Sequence, residues 1–261
     1  MANQLEMRPA PPIAPVLGQL DEYCLFLDFD GTLVDIAARP ELVRFDTTTL
    51  TLISLLRQRL DNAIAIVTGR EISDIDQFFA PLVLPVAGVH GQIRRNALGR
   101  IEMGEVDHQA IAEVASRLGL FVAREPGLLI EPKSGAVAVH YRARPDLEAR
   151  CQAEASSAVA MHPDLQVVRG TMVVEIKSRG FSKGTAVRAF MREAPFAGRR
   201  PVFAGDDLTD EDGFMAVNAF DGISIKIGPG ATTASYRIAR PQHFLAWLHA
   251  LARTTSGLVR T

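Results

Sequence analysis

The chain alternates between short continuous apolar runs and stretches in which apolar residues recur every three or four positions. Tyr23-Cys24-Leu25-Phe26-Leu27 is one such run. Ala63-Ile64-Ala65-Ile66-Val67, Leu84-Pro85-Val86-Ala87-Gly88-Val89, Pro201-Val202-Phe203-Ala204 and Gly222-Ile223-Ser224-Ile225-Lys226-Ile227 are others. Runs of this length, apolar on both faces, mark strands buried in a parallel sheet. Leu50, Ile53, Leu56 and Leu60 keep helical spacing over 47–60, and helices are also predicted at 71–79, 182–193, 209–218 and 243–251. Strands alternating with helices predict an α/β fold built on a doubly wound parallel sheet.

The rhythm changes between 105 and 179. Helical patterns at 107–118 and 145–160 are each followed by two strands. The first pair is 128–131 and 136–142, joined at Ser134-Gly135; the second is 165–168 and 172–176, joined around Arg169-Gly170. This predicts an inserted αββαββ unit at 105–179 with its own antiparallel sheet, and a core made of 21–104 and 180–252. Residues 1–20, with Pro9, Pro11, Pro12 and Pro15, read as a flexible or extended lead-in, and 253–261 as a frayed tail.

Period-two alternation gives the inserted sheet two unlike faces. Glu131 and Lys133 share one face of their strand, His140 and Arg142 one face of the next, and Glu175 and Lys177 one face of the last. Val137, Val139, Tyr141, Val174 and Ile176 lie opposite, where the two helices of the unit would cover them. The charged face is then free to look into the core. Mixed acids and bases suit a ligand rich in hydroxyls, which both donate and accept hydrogen bonds. The alternative is a solvated outer face.

Composition narrows the class of partner. The 261 residues are 48% hydrophobic and 22% charged with a formal net charge of −2, so no global basic field exists to collect nucleic acid or an anionic membrane. A small anion held in a local pocket stays open. No apolar run approaches the ~20 residues of a membrane span, and 1–20 lack a secretory leader pattern. The contexts of Cys24 and Cys151 suggest no disulfide framework. The expected location is cytoplasmic.

Polar clusters follow three of the apolar runs: Asp28 and Asp30, then Thr68, then Asp206, Asp207 and Asp210. Ligands of open α/β sheets bind beyond the carboxyl ends of the strands, so neighbouring strands would bring these clusters into one crevice. Asp28 and Asp30 could point to the same side, and Gly31 allows a sharp turn. Paired carboxylates with more acid from Asp206 suit a hard cation, although strand-exit capping gives the same pattern. Thr68 followed by Glu71 could bind a phosphate oxygen or form a capping box. Lys183 opens a helix, where a cation is disfavoured unless it balances an anion; the alternative is a solvated lysine. Four acids between Asp206 and Glu211 exceed what one helix start needs.

Taken together, Asp28-Phe29-Asp30-Gly31-Thr32-Leu33, Thr68, Lys183 and Gly205-Asp206-Asp207 resemble the signature of the haloacid dehalogenase superfamily of phosphatases. The inserted unit resembles that superfamily's αββαββ cap. Val67-Thr68-Gly69-Arg70, Gly88-Val89-His90-Gly91, Glu131-Pro132-Lys133, His140-Tyr141-Arg142, Glu175-Ile176-Lys177 and Gly205-Asp206-Asp207-Leu208-Thr209-Asp210-Glu211 are similar to the trehalose-6-phosphate phosphatase family, over about 21–252.

The resemblance implies Mg2+-dependent hydrolysis of trehalose 6-phosphate through an aspartyl phosphate on Asp28. Asp30 would act as general acid and then general base. The Asp28 side chain, the Asp30 backbone carbonyl and the Asp206 side chain would hold Mg2+. Thr68 and Lys183 would bind the transferring oxygens, and Asp207 and Asp210 would orient metal-bound waters or Lys183. Arg70, His90, Glu131, Lys133, His140, Arg142, Glu175 and Lys177 would bind substrate. Functional coupling to a trehalose-6-phosphate synthase is a further implication. Other readings are a phosphatase for another sugar phosphate such as mannosyl-3-phosphoglycerate, a phosphohexomutase, or a non-catalytic protein attached to a synthase. Asp28, Asp30, Thr68, Lys183 and Asp206 are all present, which argues against the last.

Overall fold

A computed structural model of the chain describes residues 15–37 and 42–253. The chain runs β1 (Tyr23–Leu27), α1 (Thr47–Arg59), β2 (Ile64–Val67), α2 (Ile72–Phe79), β3 (Val86–Gly88), β4 (Ile93–Arg95) and β5 (Ile101–Met103). It continues α3 (His108–Val122), β6 (Leu129–Lys133), β7 (Ala136–His140), α4 (Glu148–Val159), β8 (Leu165–Gly170) and β9 (Val173–Ser178). It ends α5 (Lys183–Phe190), β10 (Arg200–Gly205), α6 (Glu211–Asn218), β11 (Ile223–Ile227), β12 (Tyr236–Ile238) and α7 (Pro241–Arg253).

Eight strands form one sheet in the order β12-β11-β10-β1-β2-β3-β4-β5. From β12 to β3 neighbouring strands are parallel. β1 lies between β2 and β10, so the chain leaves it towards one edge and returns on the other side. That is the switch point at which open α/β sheets bind ligands. Leu27 stands opposite both Ile66 and Ala204, which brings the carboxyl ends of β1, β2 and β10 close to level. β1, β2 and β11 are buried along their whole length, as continuous apolar runs require.

The sheet extends beyond the sequence reading. β4 and β5 form an antiparallel hairpin on β3, and β12 adds an outer strand to β11. Arg94 and Arg95 of β4 are buried, and carboxylates of other elements make this possible. Arg95 donates to both oxygens of Asp76 at 2.7 and 2.6 Å, and Arg94 pairs with Glu102 and Glu193. The lead-in is not loose where it is described. Leu17 and Leu20 are buried, and Trp247 donates to the Pro15 carbonyl at 2.9 Å. Arg253, assigned to the tail, is the last residue of α7. The expectations for 1–14 and 254–261 lie outside the described residues.

β6, β7, β9 and β8 form a second sheet in that order, antiparallel throughout. Its apolar face buries Val137, Val139, Tyr141, Val174 and Ile176 against Ile111, Val114, Leu118, Cys151 and Ala155 of α3 and α4. The opposite face carries the charges. The β8–β9 turn falls at Thr171-Met172 rather than Arg169-Gly170, because Arg169 and Gly170 continue the ladder opposite Val174 and Val173. Met172 takes the left-handed conformation the turn requires, at φ 61°.

Candidate active site

Phe29 lies between Asp28 and Asp30 and faces the other way. Its ring packs among Phe45, Phe78 and Phe79 at centroid distances of 5.8, 4.9 and 6.1 Å. Alternation past this anchor turns both aspartates towards the crevice. Emptying a buried aromatic site of this kind costs about 3–5 kcal/mol, so the strand end is firmly held. Gly31 follows at φ 77°, and a Cβ there would sit 2.1 Å from an Asp206 carboxylate oxygen. Glycine is thus required for the turn and for the approach of β10.

Asp28, Asp206 and Asp210 bring carboxylate oxygens within 4.8 Å of one another. Lys183, at the start of α5, donates to Asp28 Oδ1 and Asp210 Oδ1, each at 2.7 Å. Ser182 and Thr185 form a reciprocal capping box that fixes where this lysine leaves the helix. Three acids against one ammonium leave the cluster with surplus negative charge, and the titrations lean accordingly. Burial, with Asp210 and Asp206 adding to it against Lys183, pushes Asp28 well above the usual carboxylate range. Burial and Asp210 push Asp206 up to about 7. Burial alone would depress Lys183, but Asp210 and Asp28 hold it above the usual lysine range. A hard divalent cation fits this donor set, because it would offset the burial and mutual repulsion that push these carboxyls up.

Thr68, at the end of β2, is buried beside them, and its hydroxyl accepts from the Arg70 N–H at 3.2 Å. It does not cap α2, whose first residue is Ile72; Glu71 instead accepts from Ser134 N of the inserted unit at 2.5 Å. Arg70 donates to both oxygens of Asp30 at 2.6 and 2.8 Å and stacks over Phe29 and Phe78.

Above this floor lies the charged face of the second sheet. Lys133 donates to Glu175 at 2.7 Å and to the Gly69 carbonyl at 3.0 Å. His140 meets Glu131 at 2.7 Å, and His90 lies 3.4 Å from Glu175. Burial alone would raise Glu175, yet Lys133 and His90 hold it well below the usual carboxylate range. His90 stands at φ 52° after Val89 at φ 47°, a left-handed pair that β-branched valine rarely adopts. The strain sets the imidazole against Gly69, where a Cβ would lie 2.6 Å from Nε2.

The trehalose-phosphatase family model matches residues 26–242. The chain belongs to the trehalose-phosphatase family. It is 41% identical over 227 residues to the trehalose-6-phosphate phosphatase of Escherichia coli (strain K12), covering 87% of this chain and 85% of that one. It is 31% identical over 222 residues, 82% of this chain, to a bifunctional trehalose-6-phosphate synthase/phosphatase of Thermoproteus tenax, of which it covers 30%. The crystal structure of a trehalose-6-phosphate phosphatase related protein superposes with a TM-score of 0.73 at 31% identity, over 88% of this chain and 96% of that one. The architecture is haloacid-dehalogenase-like, and family membership makes the chain a phosphoric monoester hydrolase.

Within this trehalose-phosphatase fold, one cavity is lined by Asp28, Asp30, Thr68, Arg70, His90, Glu131, Lys133, His140, Arg142, Glu175, Lys183, Asp206 and Asp207. Lys177 does not join them. Alternation keeps it on the face of Glu175, but its ammonium turns to the Phe181 carbonyl and borders a separate cavity. Asp207 has no hydrogen bond to Lys183; its oxygens accept from Thr171 Oγ1 and N at 2.9 and 3.2 Å, tying the core to the β8–β9 turn, and it shares a reciprocal capping box with Asp210. Asp210 does hold Lys183, and also accepts from the Asp206 and Asp207 N–H groups at 3.0 and 2.9 Å. Arg142 lies past the end of β7, on the carbonyls of Ala37 and Thr171. The sequence reading missed the contacts of Glu71 and Gln92, which grip Ser134 from the core; Glu71 was seen only as a capping candidate.

Proposed function

We propose that this protein is a magnesium-dependent phosphatase that hydrolyses trehalose 6-phosphate to trehalose and phosphate. The observation that carries the reading is the gathering of Asp28, Asp206 and Asp210, two of them buried, around the single ion-paired Lys183, beneath a face of alternating acids and bases. Family membership supports the substrate. In this reading the core, 21–104 and 180–252, performs the chemistry, and 105–179 selects the sugar.

Asp28 attacks phosphorus as its bond to the sugar oxygen breaks, giving an aspartyl phosphate. Asp30 gives a proton to the departing oxygen and then takes one from the water that releases phosphate and restores Asp28. Arg70 holds both oxygens of Asp30, so this pair must open before Asp30 can pass a proton. Thr68 and Lys183 bind the oxygens on which charge grows. The side chains of Asp28 and Asp206 and the Asp30 carbonyl would hold magnesium, which would offset repulsion between a carboxylate and a phosphate dianion. Glu131, Lys133, His140 and Glu175 offer donors and acceptors to hydroxyls. The fused relative supports coupling to a trehalose-6-phosphate synthase. No described helix is long and apolar enough to cross a membrane.

The test is phosphate release from a panel of sugar phosphates with magnesium present. Preference for trehalose 6-phosphate, with equimolar trehalose and phosphate formed, is expected. Preference for mannosyl-3-phosphoglycerate, or return of the phosphoryl group to a sugar, would overturn it.

A further inference from the structure

Buried cations in this protein generally have carboxylate partners. Lys133 has Glu175, Lys183 has Asp28 and Asp210, Arg94 has Glu102 and Glu193, and Arg95 has Asp76. Lys177 and Lys226 are the exceptions among the described residues. Lys226 donates to the Asp206 carbonyl, within the field of the acid cluster. Lys177 is 2% exposed and donates to the Phe181 carbonyl. An ammonium carries three donors, and a buried cation with one neutral acceptor is costly unless an anion completes it.

Lys177 also faces open space. It lines a cavity of about 420 Å³ between the second sheet and the start of α5, together with Arg169, Thr185, Thr209 and Asp212. Asp212 is the one carboxylate on these walls, against Lys177, Arg169 and Lys183. His90 and Lys183 border this cavity and the first alike, so the two adjoin at the end where Lys183 meets Asp28. Burial, only partly offset by Glu175 and Asp212, pulls Lys177 down to about 8. That is the shift expected of a cation lacking its counter-ion.

We propose that the second cavity is an oxyanion site, keyed by Lys177 and Arg169, that takes inorganic phosphate. Lys177 supplies a desolvated charge, and Arg169, exposed at the cavity's border, carries a planar fork suited to two phosphate oxygens. Inorganic phosphate is also the product of the proposed hydrolysis, and the adjoining walls give that product a place beyond Lys183. This last point rests on the proposed function; the binding site does not.

Titration calorimetry of the full-length protein with magnesium and inorganic phosphate tests the proposal. Two phosphate ions are expected per chain. Thr68→Val should weaken one of them, and Lys177→Met the other by about tenfold to a hundredfold, the worth of a charged hydrogen bond. Arg169→Gln should weaken that second site by a smaller factor, and decides the matter should Lys177→Met fail to fold. One phosphate per wild-type chain, or a second phosphate unmoved by Lys177→Met and Arg169→Gln, overturns the proposal. A protein that binds two phosphates yet releases none from trehalose 6-phosphate keeps this site and loses the proposed function.

Discussion

The two walls of the first cavity treat charge in opposite ways. On the core side, Asp28, Asp206 and Asp210 gather around Lys183; burial and mutual repulsion raise the Asp28 and Asp206 carboxyls, and Asp210 and Asp28 raise Lys183 against the effect of burial. On the side of the second sheet, acids and bases are matched: Glu131 with His140, and Glu175 with Lys133 and His90. A surplus of negative charge calls for a cation, and a cation held there could in turn accept an anionic phosphoryl group. A network in which each acid already has a basic partner can exchange those hydrogen bonds with neutral hydroxyls. In the proposed function, chemistry and recognition would be divided by charge pattern as well as by sheet.

The sharpest way to break this contrast is at Asp28. Asp28→Asn removes the nucleophile with little change of shape, and turnover should fall by roughly 10⁴-fold or more. Circular dichroism should show a folded protein. Near-normal phosphate release from that folded variant would end the role of Asp28. Chelation comes next. Metal removal should stop turnover and magnesium should restore it, while Asp206→Ala should behave like chelated enzyme and respond poorly to excess metal. Full activity after exhaustive chelation would mean that Lys183 alone balances the cluster.

Changes on the matched side should be smaller and selective. Losing one charged hydrogen-bond partner costs roughly 1.5–3 kcal/mol, or about tenfold to a hundredfold in rate. Glu131→Ala, Lys133→Ala and Glu175→Ala should each lower kcat/KM for trehalose 6-phosphate by about that factor, while p-nitrophenyl phosphate is processed almost normally. Glu131 is the cleaner case. Glu175 is 4% exposed, and truncating it strands Lys133, so a loss of stability of about 3–5 kcal/mol should accompany it. Equal losses on both substrates would make these residues supports of the fold.

The same network should set acid sensitivity. Lys133 and His90 overcome the effect of burial and hold the Glu175 carboxyl below its ordinary 4.5. The unfolded chain then binds the proton more readily than the folded one. This contribution is therefore present above pH 4.5 and lost as the pH falls below it. Glu175→Gln should flatten that limb of the stability curve, as read by urea unfolding at successive pH values. An unchanged limb would show that the pair does not stabilise the fold.

The floor of the site was legible because strand ends put it there. Continuous apolar runs announce buried parallel strands, and the polar residue after each run must fall at the sheet's carboxyl edge. The charged face of the second sheet was legible through alternation. Contacts that depend on partners distant in sequence were not. Arg94 and Arg95 look unfit for a buried strand until Glu102, Glu193 and Asp76 arrive beside them. β4, β5 and β12 have three residues each, too few to show a period. Lys177 keeps the parity of Glu175, but parity says nothing of how far along the strand the cavity reaches. Arg70 was expected on the substrate, and its hold on Asp30 appears only once β1 and β2 lie side by side.

The weakest expected effect probes where the two walls meet. Thr171, at the tip of the β8–β9 turn, donates its hydroxyl to Asp207 Oδ1 at 2.9 Å and its N–H to Oδ2 at 3.2 Å. Thr171→Val removes the hydroxyl bond and keeps shape and N–H. The site is exposed, so a charged hydrogen bond there is worth about 0.5–1 kcal/mol, or roughly two- to fivefold in kcat/KM. What matters is which substrate registers it. Asp207 also donates its own N–H to Asp210, the acid that holds Lys183. If the contact only steadies the second sheet over the sugar, trehalose 6-phosphate alone should lose rate. If it reaches through Asp207 to the acid cluster, p-nitrophenyl phosphate should lose as much. The matched network gives the expectation: the loss falls on the sugar phosphate, because Asp210 keeps Lys183 and the Asp206 N–H whether or not Thr171 is in place.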